Sequence, residues 1–316
     1  MLFDLENVQK LYGNLEALKG ITMKVEEGSV GLLGPNGAGK STLIKCLLGL
    51  LEMNKGSASV LGYRLPHESH KIRQAIGYMP EDDCYLPYMT ATRYVALMGE
   101  LTGMPKAEAF SRAHEALYYV GLGEARYRKL SGFSTGMKQR VKLAQALVHG
   151  PRVVFLDEPT NGLDPQGRDE MLELVGDVKA RGISVVLSSH ILQDVERVCE
   201  EVIMLNEGEL VHHGGIEELK SGGAEKVIEI ETKENNERFL ELLDDRGFDV
   251  QEDGLRLKVK LTADQDDQDV LDCAIDEDIQ IRHFMPGELT LETAFLGLLD
   301  EHESEKQHAA EAQAAQ

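Results

Sequence analysis

Nine consecutive residues, Gly34-Pro35-Asn36-Gly37-Ala38-Gly39-Lys40-Ser41-Thr42, constrain this chain more than any other stretch. They follow a short apolar run, Ser29 to Leu33, and open a helix-like apolar segment, Ser41 to Leu51. Glycines let successive backbone N–H groups converge on one point. The first turn of a helix adds its own unpaired donors and the positive end of its dipole. Strand, glycine-rich turn and helix in that order make an anion cradle, and G-x-x-x-x-G-K-[ST] is the phosphate-binding form of it. Lys40 would reach the terminal phosphates, and Ser41 would offer a hydroxyl to Mg²⁺. A plain strand-to-helix turn requires neither group. The stretch therefore predicts a held nucleotide and leaves open what is done with it.

The rest of the composition narrows the setting. A length of 316 residues leaves room for two domains. No apolar run approaches the roughly 18 residues that cross a bilayer. The start, Met1-Leu2-Phe3-Asp4-Leu5-Glu6, has neither the basic residues nor the apolar core of a secretory signal. The expectation is a protein made and kept in the cytoplasm. Cys46, Cys84, Cys199 and Cys273 lie far apart, without metal-site or disulfide spacing, and read as mostly buried thiols. A net charge of −22 argues against nonspecific binding to nucleic acid or to an anionic membrane surface. Any membrane association would then go through a protein partner.

Along the chain, residues 2 to 8 alternate like a strand, and Met23 to Val25 suggests another. Tyr12-Gly13-Asn14 lies between them; Tyr12 could stack on a base or merely close a hairpin. Further strands are expected at Ala58 to Leu61 and at Ala75 to Tyr78, the latter ending in Pro80-Glu81. From about 88 to 150 the spacing becomes helical, with helices at Ala91 to Leu101, Ala107 to Val120 and Thr135 to His149. In the last, Lys138, Arg140 and Lys142 read as polar positions near its start. Val153-Val154-Phe155-Leu156-Asp157-Glu158 reads as a buried parallel strand with acids at its carboxyl end, the edge where open α/β sheets bind ligands. There Asp157 would hold Mg²⁺, and Glu158 could orient and deprotonate a water. Ile183 to Leu187 is a similar strand running into Ser188-Ser189-His190, which brings His190 to the same edge as a phosphate contact.

Gly214-Gly215 and Ser221-Gly222-Gly223 bracket an expected joint at 216–225. Beyond it the patterns run strand (Val227 to Glu231), helix (Asn235 to Asp245), strands (Phe248 to Gln251, Leu255 to Leu261), helix (Asp264 to Asp276) and strand (Ile279 to Phe284). That order, β-α-β-β-α-β, is the ferredoxin-like split unit. A final helix is expected at Leu289 to Leu299, with Leu291, Phe295, Leu298 and Leu299 on one face. No constellation of ligands or nucleophiles stands out in 226–300, which points to a regulatory or dimer-stabilising module. The polar, alanine-rich tail 301–316 is expected to be disordered.

Together the motifs resemble the nucleotide-binding subunit of ATP-binding cassette transporters, over residues 1 to about 215. Gly34 to Thr42 matches the Walker A motif, Val153 to Glu158 Walker B, Asn161-Gly162-Leu163-Asp164 the D-loop, and His190 the switch histidine. Tyr12 falls where the family places its adenine-stacking aromatic. Phe133-Ser134-Thr135-Gly136-Met137 stands at the family signature, L-S-G-G-Q, with Ser134 and Gly136 kept and Phe133, Thr135 and Met137 altered. Glu81 replaces the usual Q-loop glutamine; its oxygen can still meet metal or water. The form Tyr78-Met79-Pro80-Glu81 is similar to bacterial and archaeal exporter-type subunits for drug, antibiotic, copper-linked and gliding systems. Leu289 to Leu296 resembles the closing motif of such subunits.

The resemblance implies an α/β P-loop NTPase cassette with an antiparallel β subdomain, a helical insertion and a small α+β C-terminal domain. It implies MgATP hydrolysis by a pair of subunits, this chain with a second copy or a homologous ATPase subunit. ATP on Lys40 and its loop in one subunit would be closed over by Ser134, Gly136 and the D-loop Asp164 of the other. Glu158, His190, Lys40 and Glu81 would carry the chemistry, with Ser41, Asp157 and Glu81 as oxygen donors to the metal. The partner would be an integral-membrane permease, and the direction export. A soluble cassette ATPase acting in translation or DNA repair is the alternative; such relatives usually carry two cassettes or a coiled-coil insertion, and this chain shows one cassette and no heptad run.

Overall fold

The structure is a computed structural model that describes residues 1–222, 226–233, 236–253, 256–261, 265–286, 291–292, 294–295, 297–299 and 302. The chain divides into two compact units, Met1–Ile216 and Glu217–Gln316.

The first unit opens with a hairpin. Strands β1 (Phe3–Tyr12) and β2 (Leu15–Val25) turn at Gly13-Asn14, with Tyr12 paired to Leu15. Strand β3 (Ser29–Leu33) has all five residues buried, as a central parallel strand requires, and runs through the glycine loop into helix α1 (Lys40–Leu47). β4 (Lys55–Val60), β5 (Tyr63–Arg64), α2 (Ser69–Ala75) and β6 (Ile76–Met79) follow. The helical region holds α3 (Ala91–Leu101), α4 (Lys106–Tyr119) and α5 (Thr135–Leu147). The Thr90 side chain caps α3 by accepting from the Arg93 amide at 3.3 Å, which is why that helix begins where it does. Next come β7 (Val153–Asp157), α6 (Pro165–Ala180), β8 (Ser184–Ser188), α7 (Leu192–Val198), β9 (Glu201–Asn206) and β10 (Glu209–Gly215).

These strands make two sheets. The first, ordered β2-β1-β4-β5, is antiparallel. The second, β10-β9-β3-β8-β7-β6, is parallel except for its edge strand β10. One apolar core joins them across α1: Leu5 and Val60 from the first sheet, Leu43, Ile44 and Leu47 from the helix, and Leu32, Phe155 and Val186 from the second. Parallel strands all end at one edge. β3, β6, β7 and β8 therefore deliver the glycine loop, Glu81, Asp157-Glu158 and His190 to the same side of the sheet.

The expected joint at 216–225 is helical over its first part: α8 spans Ile216–Gly222. Ile216 is buried and its amide donates to Glu200 O, while Glu217 and Glu218 open the helix and Lys220 closes it, a charge order that suits the helix dipole. In the second unit β11 (Lys226–Thr232), α9 (Asn236–Asp245), β12 (Asp249–Asp253), β13 (Arg256–Leu261), α10 (Asp267–Asp276) and β14 (Ile281–Pro286) follow one another. The sheet order β12-β13-β11-β14, antiparallel throughout, is the ferredoxin-like arrangement. Ile228, Ile230, Phe239, Leu243, Leu257, Val259 and Val270 form its core. Residues 291–292, 294–295 and 297–299 are helical, with Leu291 buried. The start of the closing motif at 289–290 and, apart from residue 302, the tail 301–316 lie outside the described residues.

Candidate functional site

The glycine loop is built by close backbone approach. Gly39 is the N-cap of α1 at φ 104°, and a Cβ there would stand 2.7 Å from Ala17 O. Gly34, at φ 152°, leaves only 2.2 Å between its own would-be Cβ and Leu205 O. No other residue type fits either position without moving the chain. Lys40 is buried and curls back over the loop, donating to Gly34 O at 2.6 Å and Pro35 O at 3.2 Å. Burial lowers the pKa of its ammonium, opposed by the charges of Glu158, Asp157 and Glu81. An open cleft lies over the loop, lined by Tyr12, Asn36 to Thr42, Glu81, Glu158, Asn161 and His190.

Beneath the cleft the Ser41 hydroxyl donates to Asp157 Oδ1 at 3.3 Å, and Asp157 is buried. A hydroxyl and a carboxylate side by side next to a phosphate cradle are hard oxygen donors of the kind Mg²⁺ takes. Among the described residues no cluster of three or more His, Cys, Asp or Glu could hold a metal by itself. A metal that fits here draws on phosphate and water oxygens as much as on protein. Glu81 is exposed at the cleft and its Oε1 accepts from Asn161 Nδ2 at 3.4 Å.

Glu158 takes a left-handed backbone, φ 50°, rare for a residue with a Cβ and worth about 1 to 3 kcal/mol of local strain. Its amide is tied to Ser188 O at 2.9 Å, which pins the end of β7 to the end of β8. The residue is only 6% exposed, and Oε2 lies 2.8 Å from His190 Nδ1. Burial pushes the Glu158 pKa up, and the hydrogen bond and charge of His190 pull against that. A carboxyl poised upward in this way, at the mouth of an anion cradle, suits proton transfer from water.

The remaining expected site residues lie in a second cleft that shares no lining residue with the first. Ser134, Gly136 and Asp164 line it, together with Gly162 and Leu163. Within its own chain Ser134 caps α5, accepting from the Met137 amide at 3.3 Å, and Asp164 caps α6, accepting from the Gly167 amide at 2.8 Å. Leu130-Ser131-Gly132 forms a short 3-10 turn ahead of them. Lys142, placed among the polar positions of its helix by sequence, is 1% exposed instead.

Asp194 escaped sequence reasoning because a lone acid in the first turn of a helix reads as solvated. It is fully buried, accepting from Thr160 Oγ1 at 2.6 Å and from Arg168 Nε at 2.5 Å. It thus ties the chain just after Glu158, the start of α6 and the helix just after His190 into one network. Asp194→Ala strands the Thr160 hydroxyl and the Arg168 guanidinium, and is expected to cost about 3 kcal/mol of stability, the low end for a broken buried pair because Arg168 keeps some solvent. Urea unfolding measures it; an unshifted midpoint would show that the network contributes no stability.

Comparison with known proteins places this architecture. The ABC transporter family model matches residues 18–161. The uncharacterized ABC transporter ATP-binding protein YxlF of Bacillus subtilis (strain 168) is 39% identical over 241 residues, covering 76% of this chain and 80% of that protein. The linearmycin resistance ATP-binding protein LnrL of the same organism is 37% identical over 262 residues, covering 82% of this chain and 84% of its own. The dimeric post-hydrolysis structure of the ATP-binding cassette MJ0796, bound to ADP and Pi, superposes with a TM-score of 0.63 at 28% identity, over 68% of this chain and 98% of that one. By its fold, its glycine loop and these relatives, this chain belongs to the ABC transporter family as one of its ATP-binding, ATP-hydrolysing subunits.

Proposed function

We propose that this chain hydrolyses MgATP as one half of a dimer and thereby powers a separate membrane permease in the direction of export. The observation that carries the reading is the Glu158–His190 pair standing over the Lys40 loop in one open cleft. Lys40 and the loop amides hold the β- and γ-phosphates, and Tyr12 stacks on the base. Glu158 takes a proton from a water whose oxygen bonds to the γ-phosphorus as the bond to the bridging oxygen breaks. His190 holds Glu158 in place and faces the γ-phosphate. Mg²⁺, held by Ser41 and Asp157 with Glu81 as a further oxygen donor, neutralises phosphate charge when bound.

Ser134 and Gly136 lie at and next to a helix start, where backbone N–H groups favour an anion. Because their cleft is separate from the Lys40 cleft, they serve the ATP of the partner. ATP then favours the closed pair because only there are both sets of contacts made, and hydrolysis releases it. Residues 226–300 act as a regulatory or dimer-stabilising module. Attachment to the inner face of the cell membrane goes through the permease, as in a transporter of this family; among the described residues no helix is long and apolar enough to cross a membrane. Export is favoured by the likeness to a linearmycin resistance protein.

The test is recovery of the intact protein from membranes in mild detergent. A polytopic partner should co-purify, with ATP turnover that stops on chelation of Mg²⁺. Recovery of ribosomes or DNA in place of a membrane protein would replace the transporter reading with the regulatory one.

A further inference from the structure

The Lys142 ammonium is buried, and yet it faces neither the nucleotide cleft nor a carboxylate bond of its own. It donates to two successive backbone carbonyls, Pro80 O at 2.8 Å and Glu81 O at 2.7 Å. These carbonyls lie just past the end of β6, where the sheet ladder no longer takes them. Burying an ammonium carries a desolvation cost, and here it lowers the lysine's pKa against the opposing charges of Asp83, Cys84, Asp82 and Glu81. An apolar side chain would spare that cost and leave both carbonyls without a partner.

Other contacts join the same two segments, directly or by way of Tyr94 on α3. Lys138, one turn earlier on α5, reaches Asp83 Oδ2 at 3.5 Å. The Tyr94 hydroxyl donates to Gln145 Oε1 at 2.6 Å and lies 3.3 Å from Cys84 O. Positions 138, 142 and 145 share one face of a helix, so α5 presents a polar stripe to the loop that carries Glu81. Gln139 of the same helix donates to Asn161 O at 3.1 Å, and Asn161 in turn meets the Glu81 carboxylate. Glu81 is therefore held by α5 twice, at its backbone through Lys142 and at its side chain through Asn161.

We propose that Lys142 is a positioning residue that straps the Glu81 loop, which borders one half of the nucleotide site, to helix α5, whose first turn is the other half. Glu81 lines the Lys40 cleft, whereas Ser134 and Gly136 open α5 about two turns from Lys142. With the strap in place, a shift of Glu81 toward bound nucleotide moves the helix that must meet the partner's ATP. This rests on the two-subunit reading above.

The test uses the full chain with Lys142→Met, alone and combined with Glu81→Ala. Alone, it should lower kcat by about ten- to a hundredfold, the scale of a misplaced group near the chemistry, with KM for ATP within about twofold. Amide hydrogen exchange over 80–84 should speed up in the absence of nucleotide. In the Glu81→Ala background, Lys142→Met should add less than about a twofold further loss, because the side chain it positions is gone. Equal losses in both backgrounds, or unchanged exchange over 80–84, would overturn the proposal. If Lys142→Met does not fold, Lys142→Gln keeps a donor on a shorter stem and is read by the same cycle. A parent chain without ATP turnover would sink the hydrolase reading instead, and the exchange measurement would still decide the strap.

Discussion

Replacing Glu158 by Gln should leave ATP binding intact and lower turnover by at least about a hundredfold, the smallest loss expected when a general base is removed. The substitution keeps shape and volume in a site that is 6% exposed, so packing around it does not change. The amide can still meet His190 across 2.8 Å, and the Glu158 backbone contact to Ser188 O does not involve the side chain. Lys40, Ser41 and the loop amides, which hold the phosphates, are untouched. Removing a negative charge beside them can only ease the approach of ATP. What is lost is the capacity to take a proton from water. If ATP favours the closed pair and hydrolysis opens it, the variant should also accumulate as an ATP-bound dimer in size-exclusion chromatography with light scattering. Parent-like turnover in the variant would remove Glu158 from the chemistry.

Much of this site could be read from the sequence because its chemistry is concentrated in contiguous stretches. Asp157 and Glu158 announce themselves as acids ending an apolar run, and a run buried on all five strand positions has to be a central parallel strand. Helix α3 could be bounded because its apolar residues recur three and four apart from Ala91 to Leu101; that Thr90 caps it is not read from that spacing. What sequence could not show is pairing across long separations. Asp194 meets Thr160 from 34 residues away and Lys142 meets Glu81 from 61, and each charged side chain alone looks like a solvated one. Binary patterning places a lysine outside by default and has no way to register two carbonyls waiting for it. The left-handed turn at Glu158 is hidden for the same reason, since it is imposed by the neighbouring strand end rather than by the residue. The division of the chain could be placed because flanking glycines signal a joint at 216–225, and the two compact units part after Ile216. The helix over 216–222 escapes sequence reasoning, since nothing in a short polar stretch announces it.

Gly136→Asp should abolish ATP-driven pairing and reduce turnover by at least about a hundredfold, on the scale of losing electrostatic stabilisation of the reacting phosphate. The site is suited to a clean experiment. A Cβ at Gly136 would meet only Leu163 Cδ2, at an ordinary 3.6 Å, so the substitution fits within its own chain. An acid in the first turn of α5 is also favoured by the helix dipole, so folding should be unharmed. The damage falls instead on whatever anion must approach that turn. On the two-subunit reading proposed above that anion is the phosphate held by another copy, since Gly136 and Lys40 open onto separate clefts. Lys40→Ala should be as inactive as Gly136→Asp, by loss of its own ATP. Mixed in equal amounts, the two inactive proteins should recover activity. In a mixed pair, the Lys40 of the Gly136→Asp chain faces the intact Gly136 of the Lys40→Ala chain, and the opposite site carries both lesions. Neither variant pairs with itself on ATP, so the pairs that close are mixed ones with one intact site of two. Turnover per chain should rise to at most about half the parental value, because a two-fold interface presents each half-site to the other copy. A mixture as inactive as its components would mean that each chain completes its own site, and the two clefts would then need another explanation.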